Sequence, residues 1–224
     1  MPTVIPQQYA ALTRGAQACM DAGRFGDAEH ALAEIVRLNP REHYAWGLLG
    51  RIALERGDSD VAQERIRRAL DLDRRNADYL NVLAIAQAEA GDLEHAESSL
   101  RRALRERPTH ADAHYNLGKV FEKRGDYAAA RREYERTLAL DPKHPGARGN
   151  CARVLQFLGD LEAAVDVLQA SVAEASAEPW NIILYGKALM AACGHAAAIA
   201  AYADACRRFP ASGLLRRTYA HALL

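Results

Sequence analysis

One pattern of 34 residues recurs six times along this chain, in phase, from Tyr9 to Ser212, with no residue inserted or deleted. A period of that length belongs to stacked supersecondary units. Each is too small to bury its own apolar face and is completed by its neighbour. With position 1 at Tyr9, His43, Ala77, Ala111, Pro145 and Pro179, the repeats run 9–42, 43–76, 77–110, 111–144, 145–178 and 179–212. Residues 1–8 precede them as a leader in which Pro2 and Pro6 predict an extended path. Residues 213–224 follow them.

The columns of this frame have physical reasons. Position 20 is alanine in every copy (Ala28, Ala62, Ala96, Ala130, Ala164, Ala198), and position 8 is always Ala or Gly. Position 24 is always large and apolar: Leu32, Ile66, Leu100, Tyr134, Leu168, Tyr202. Apolar spacings of three and four on both sides of position 15 predict two amphipathic helices per repeat. Small residues let the paired helices approach. The large residue is expected to fill the space between neighbouring pairs.

Position 15 is glycine in Gly23, Gly57, Gly91, Gly125 and Gly159, and slips to Gly194 in the sixth copy. Glycine there closes the first helix in the left-handed conformation. Asp58, Asp92, Asp126 and Asp160 follow it and are placed to cap the second helix. Pro40, Pro108, Pro142 and Pro210 at position 32 end the second helix.

The clearest unit reads Ala-Asp-Ala-His-Tyr-Asn-Leu-Gly-Lys-Val-Phe-Glu-Lys-Arg-Gly-Asp-Tyr over residues 111–127, continuing with Ala130, Tyr134, Leu138 and Leu140-Asp141-Pro142. It resembles the tetratricopeptide repeat family, and the resemblance runs along nearly the whole chain. Departures are local. Arg74 and Ser176 replace the proline, Gly15 and Cys151 replace the usual leucine at position 7, and Ile35, Thr137 and Ser171 replace alanine at position 27. The resemblance implies an all-α fold, a right-handed α-solenoid superhelix of tandem helix-turn-helix repeats. First helices would line a concave groove. Residues 213–224 then read as a capping helix or as the start of a truncated seventh repeat. Leu223 and Leu224 favour the latter, and homo-oligomerisation through terminal helices is a further expectation.

Composition narrows the function. The 224 residues carry 29 basic and 29 acidic side chains, so nucleic acid is not the expected partner. No secretory signal stands at the N-terminus and no segment reads as membrane-spanning. Cys19, Cys151, Cys193 and Cys206 have no regular spacing and read as small, mostly buried apolar residues in a reducing, cytoplasmic setting. The Ala- and Arg-rich composition suits a bacterial source. Catalytic motifs, phosphate loops and metal-ligand sets are not evident, and no enzyme activity, cofactor or metal is expected. His110 and His114 have helix-compatible ligand spacing, but a repeat boundary divides them.

The family resemblance implies that first-helix positions 2, 5, 6, 9, 12 and 13 tend to face the groove. Position 9 reads Gln17, Arg51, Ile85, Lys119, Arg153 and Lys187, four of six basic. Tyr115, Asn116, Lys123, Asn150 and Trp180 lie at neighbouring positions. The four basic residues and these five neighbours form the candidate peptide-binding groove, basic in its second half. Asp21, Glu55 and Glu89 at position 13 offset the charge in the first half. Related proteins often hold a ligand backbone with an asparagine at position 6, where Asn116 and Asn150 stand. The expected function is a non-enzymatic scaffold that binds an extended, acidic protein or peptide segment. The alternatives are the recruiting arm of a larger glycosyl-, sulfo- or methyltransferase and a self-assembling scaffold.

Overall fold

A computed structural model describes residues 6–144, 146–172 and 179–224. Among the described residues the chain is all-α, with thirteen helices and no strand. The first members of the pairs are α1 (Pro6–Asp21), α3 (His43–Glu55), α5 (Ala77–Glu89), α7 (Ala111–Lys123), α9 (Ala147–Phe157) and α11 (Pro179–Cys193). The second members are α2 (Phe25–Leu38), α4 (Ser59–Leu72), α6 (Leu93–Glu106), α8 (Tyr127–Leu140), α10 (Leu161–Val172) and α12 (His195–Arg208), and α13 (Gly213–Ala222) follows.

Two compact units divide the chain inside α7, one up to Val120 and one from Phe121. In the first, α1 packs on α2, α3 on α4 and α5 on α6, while α2 meets α3 and α4 meets α5. In the second, α8 packs on α9, α9 on α10, α10 on α11, α11 on α12 and α12 on α13.

Five turns share one geometry. Gly23, Gly57, Gly91, Gly125 and Gly159 have φ between +73° and +85°. Beyond Gly57, the Asp58 N–H donates to the Ala53 carbonyl at 2.9 Å, and the Gly57 N–H donates to Leu54 at 2.8 Å. The same two bonds recur at Gly91, Gly125 and Gly159. This Schellman closure satisfies carbonyls that the helix end leaves orphaned. At the slipped glycine the first helix runs longer: α11 has 15 residues where α3, α5 and α7 have 13. Of the expected caps, Asp92, Asp126 and Asp160 accept from His95, Ala129 and Ala163 N–H groups at 3.2, 2.9 and 3.3 Å. Asp58 makes no such bond.

All six position-20 alanines are fully buried. The position-24 side chain differs from expectation in its partner. A Cβ added to Gly50 would lie 2.5 Å from Ile66 Cδ1, and one added to Gly186 would overlap the Tyr202 ring. The large side chain therefore sits on the small residue of its own pair. In the frame, Ile66, Tyr134 and Tyr202 accompany glycine at position 8 (Gly50, Gly118, Gly186), and the leucines accompany alanine. A tyrosine ring needs the extra volume, and the β-branch of Ile66 sets its bulk close to the backbone.

Two local expectations change. Helix α1 begins at Pro6, so the last three residues of the expected leader are helical, with proline tolerated in the first turn. The rest of the leader, Pro145 and Ser176 lie outside the described residues. Among the cysteines, Cys151 is fully buried, with its thiol pushed up to about 12 by burial, whereas Cys193 is exposed.

Candidate functional site

Helix α3 presents Arg51, exposed. Helix α7 carries Tyr115, Asn116 and Lys119 in the first unit. The Lys119 Nζ lies 5.6 Å from the centre of the Tyr115 ring. A cation over a half-buried surface ring is worth about 0.5–1 kcal/mol, enough to bias the lysine stem. The Asn116 side chain is engaged inside the protein: its Nδ2 donates to Asn81 Oδ1 at 3.0 Å.

The second unit holds Lys123 at the end of α7, Asn150 and Arg153 on α9, and Trp180 and Lys187 on α11. Asn150 and Arg153 come together, with Arg153 Nη2 donating to Asn150 Oδ1 at 3.0 Å. The same Nη2 donates to Glu122 Oε2 at 3.1 Å, and Nη1 pairs with Glu122 Oε1. Glu122 also accepts the Tyr134 hydroxyl at 2.9 Å. A two-pronged guanidinium–carboxylate pair of this kind is among the stronger charge contacts. It compensates Arg153 from within and leaves the basic stripe weaker at α9 than the column of residues implied. Both asparagines are likewise held by protein partners, so neither is a bare backbone clamp.

Lys123 and Lys187 are exposed, and Trp180 retains 54% of its surface. Trp180 and Lys187 are seven residues apart on α11, which puts them on one helix face. Sequence reasoning missed two residues. Glu122 is the one acid in a position-12 column that otherwise reads Met20, Leu54, Ala88, Gln156 and Met190. Phe157 is 62% exposed and stacks on Tyr127, with ring centres 4.9 Å apart and planes 7° from parallel. Its signal was an aromatic in a position-13 column whose first four members are charged: Asp21, Glu55, Glu89 and Lys123.

The two histidines at ligand spacing point to different partners. His110 Nε2 is 3.2 Å from Asp78 Oδ1, and His114 Nε2 donates to the Pro108 carbonyl at 3.1 Å. Among the described residues there is no group of His, Cys, Asp and Glu able to hold a metal ion, and no helix long and apolar enough to cross a membrane.

The family model for the cytochrome c-type biogenesis protein H TPR domain matches residues 25–145. A tetratricopeptide repeat model matches residues 121–192. This chain belongs to the tetratricopeptide repeat family. The fold of this tetratricopeptide repeat protein is shared with PilW, a widely conserved type IV pilus biogenesis factor. That alignment has 22% identity, covers 98% of this chain and 100% of PilW, and has a TM-score of 0.79. The pilF protein of Pseudomonas aeruginosa aligns at 20% identity over 96% of each chain, with a TM-score of 0.79. An O-GlcNAc transferase of Thermobaculum terrenum aligns at 26% identity over 62% of this chain and 27% of its own, with a TM-score of 0.59. No curated protein matches. Tetratricopeptide repeats mediate protein interactions, and a protein-interaction scaffold is the general role that the family supports.

Proposed function

We propose that the first helices of the second unit form a docking face for an extended peptide with acidic side chains. The observation that carries this reading is the exposed indole of Trp180 on the same face of α11 as exposed Lys187. An aromatic anchor beside a cation suits a chain that offers both an apolar and an anionic side chain. Lys123 adds charge from α7, and Phe157 adds apolar surface from α9. Arg51, Tyr115, Asn116 and Lys119 are the corresponding contributors in the first unit. Arg153 enters only to the extent that a ligand carboxylate competes with Glu122.

The test is a peptide array read by fluorescence anisotropy at low and physiological salt. Acidic peptides containing an apolar residue should be selected, and their binding should weaken with salt. Trp180→Ala with Lys187→Glu should remove most of that binding. Selection without acidic enrichment, or affinity indifferent to both substitutions, would sink the proposal.

The matched family model and PilW are named for biogenesis, which favours a scaffold that helps assemble other proteins. A second reading, the recruiting arm of a larger enzyme, is favoured by the O-GlcNAc transferase alignment. The length of the complete open reading frame separates the two. The cytoplasmic setting belongs to the same proposal. It is supported by four free cysteines and is tested by fractionation.

A further inference from the structure

A cleft of about 580 Å³ opens between α4, α5 and α6 in the first unit. It uses none of the residues assigned to peptide docking. Its size is that of a small-molecule site, a range of about 300–1,000 Å³. Arg67, Arg74 and Arg102 stand around it on three different segments, against one wall acid, Asp71. Its floor is mixed. Leu83 is apolar, while Ser99 Oγ donates to Gln87 Oε1 at 2.8 Å, fixing both polar groups. Gln87 and Ser99 are each only 5% exposed. Gln87 occupies position 11, which elsewhere holds Cys19, Ala53, Phe121, Leu155 and Leu189. A polar group at a core position costs stability unless it is hydrogen-bonded, and the Ser99 hydroxyl meets that need for Gln87.

Arg74 gives an independent argument. It stands where four other repeats have proline, and the backbone there is built for proline. The preceding residue, Asp73, has φ −134° and ψ 83°. Asn39 and Asp141, which precede Pro40 and Pro142, have φ −134° with ψ 87° and 93°. The turn therefore does not require an arginine, and the side chain lines the cleft instead.

An equivalent notch in the second unit provides the contrast. It measures about 430 Å³ and is lined by Val172, Tyr185, Leu189, Ala197 and Ala201. Its one arginine, Arg208, donates to the Val172 carbonyl at 2.6 Å and lies 3.9 Å from Asp204. The notch thus recurs at a second junction of the stack, whereas the triad of arginines lines the first alone.

We propose that the cleft binds a small molecule bearing phosphate groups, its organic part resting on Leu70 and Leu83 and its charge held by Arg67, Arg74 and Arg102. Guanidinium forks match phosphate oxygens in pairs, and three of them suit a multiply charged anion better than a single carboxylate.

Isothermal titration of the full chain with ATP, inorganic pyrophosphate and a phosphoserine peptide tests this. ATP and pyrophosphate should bind saturably. Arg74→Pro should preserve the fold, since it restores the residue used in the other repeats, and should weaken ATP about tenfold, as should Arg102→Gln. Arg208→Gln in the second notch should change nothing. No saturable binding of ATP or pyrophosphate would overturn the proposal. So would unchanged affinity in a folded Arg74→Pro, Arg102→Gln double variant, or binding of the phosphoserine peptide alone.

Discussion

Gly186 lies against the aromatic ring of Tyr202, so close that a methyl group in place of its hydrogen would overlap the ring. The ring is pinned, because its hydroxyl donates to the Ile183 carbonyl at 3.1 Å. Gly186→Ala should therefore destabilise by about 1–3 kcal/mol. Adding Tyr202→Leu should recover most of that loss, since alanine accompanies leucine in the frame, as at Ala152 and Leu168. A double-mutant cycle in urea reads the coupling directly. Simple additivity of the two changes would refute this packing rule.

The capping aspartates provide an internal control. Asp126→Ala removes a side-chain bond to the Ala129 N–H and should cost about 1 kcal/mol. Asp58→Ala removes none and should cost clearly less. Equal shifts in thermal midpoint would mean that the bond contributes little and that helix charge effects dominate.

Glu122 acts as a built-in competitor for Arg153. Glu122→Gln keeps the shape and removes the negative charge that the guanidinium meets. Acidic peptides should then bind several-fold more tightly, and the salt dependence of binding should steepen. Unaltered affinity would place Arg153 outside the docking face.

His110 should make stability depend on mild acid. Burial first, then the nearby Arg107 charge, hold its imidazole below the ordinary value of 6.5, against the opposing pull of Asp78 and Asp112. The unfolded chain thus takes up the proton before the folded one does as pH falls. The contribution is complete above about pH 6.5 and is lost progressively below it. His110→Asn should flatten that part of the stability profile, because an amide does not titrate there, and asparagine suits the position, as Asn76 caps α5 from the same place in its repeat. An unchanged slope between neutral and mildly acidic pH would assign the dependence to another group.

Much of the fold was legible because its determinants are local. The glycine that closes the first helix, the aspartate beside it and the small residue at the crossing lie within a few positions of the groups they serve. Even the lengthened α11 was marked by the displaced Gly194. The site was less legible because its pairings are not local. Arg153 meets Glu122 from 31 residues away, and Asn116 meets Asn81 from 35. The period places such residues on a helix face but is silent on which one a long side chain reaches. The stack of Phe157 on Tyr127 was hidden in the same way, since the two rings belong to different repeats.

The fit between Gly50 and Ile66, and between Gly186 and Tyr202, is completed inside a single 34-residue unit. Both halves travel together whenever such a unit is copied or moved. Duplication of a stretch of gene coding for one unit therefore delivers an already matched helix pair, and only the surfaces that meet the next unit need to adjust. A chain of this design can lengthen by inheritance of finished parts, while its exposed columns remain open to change.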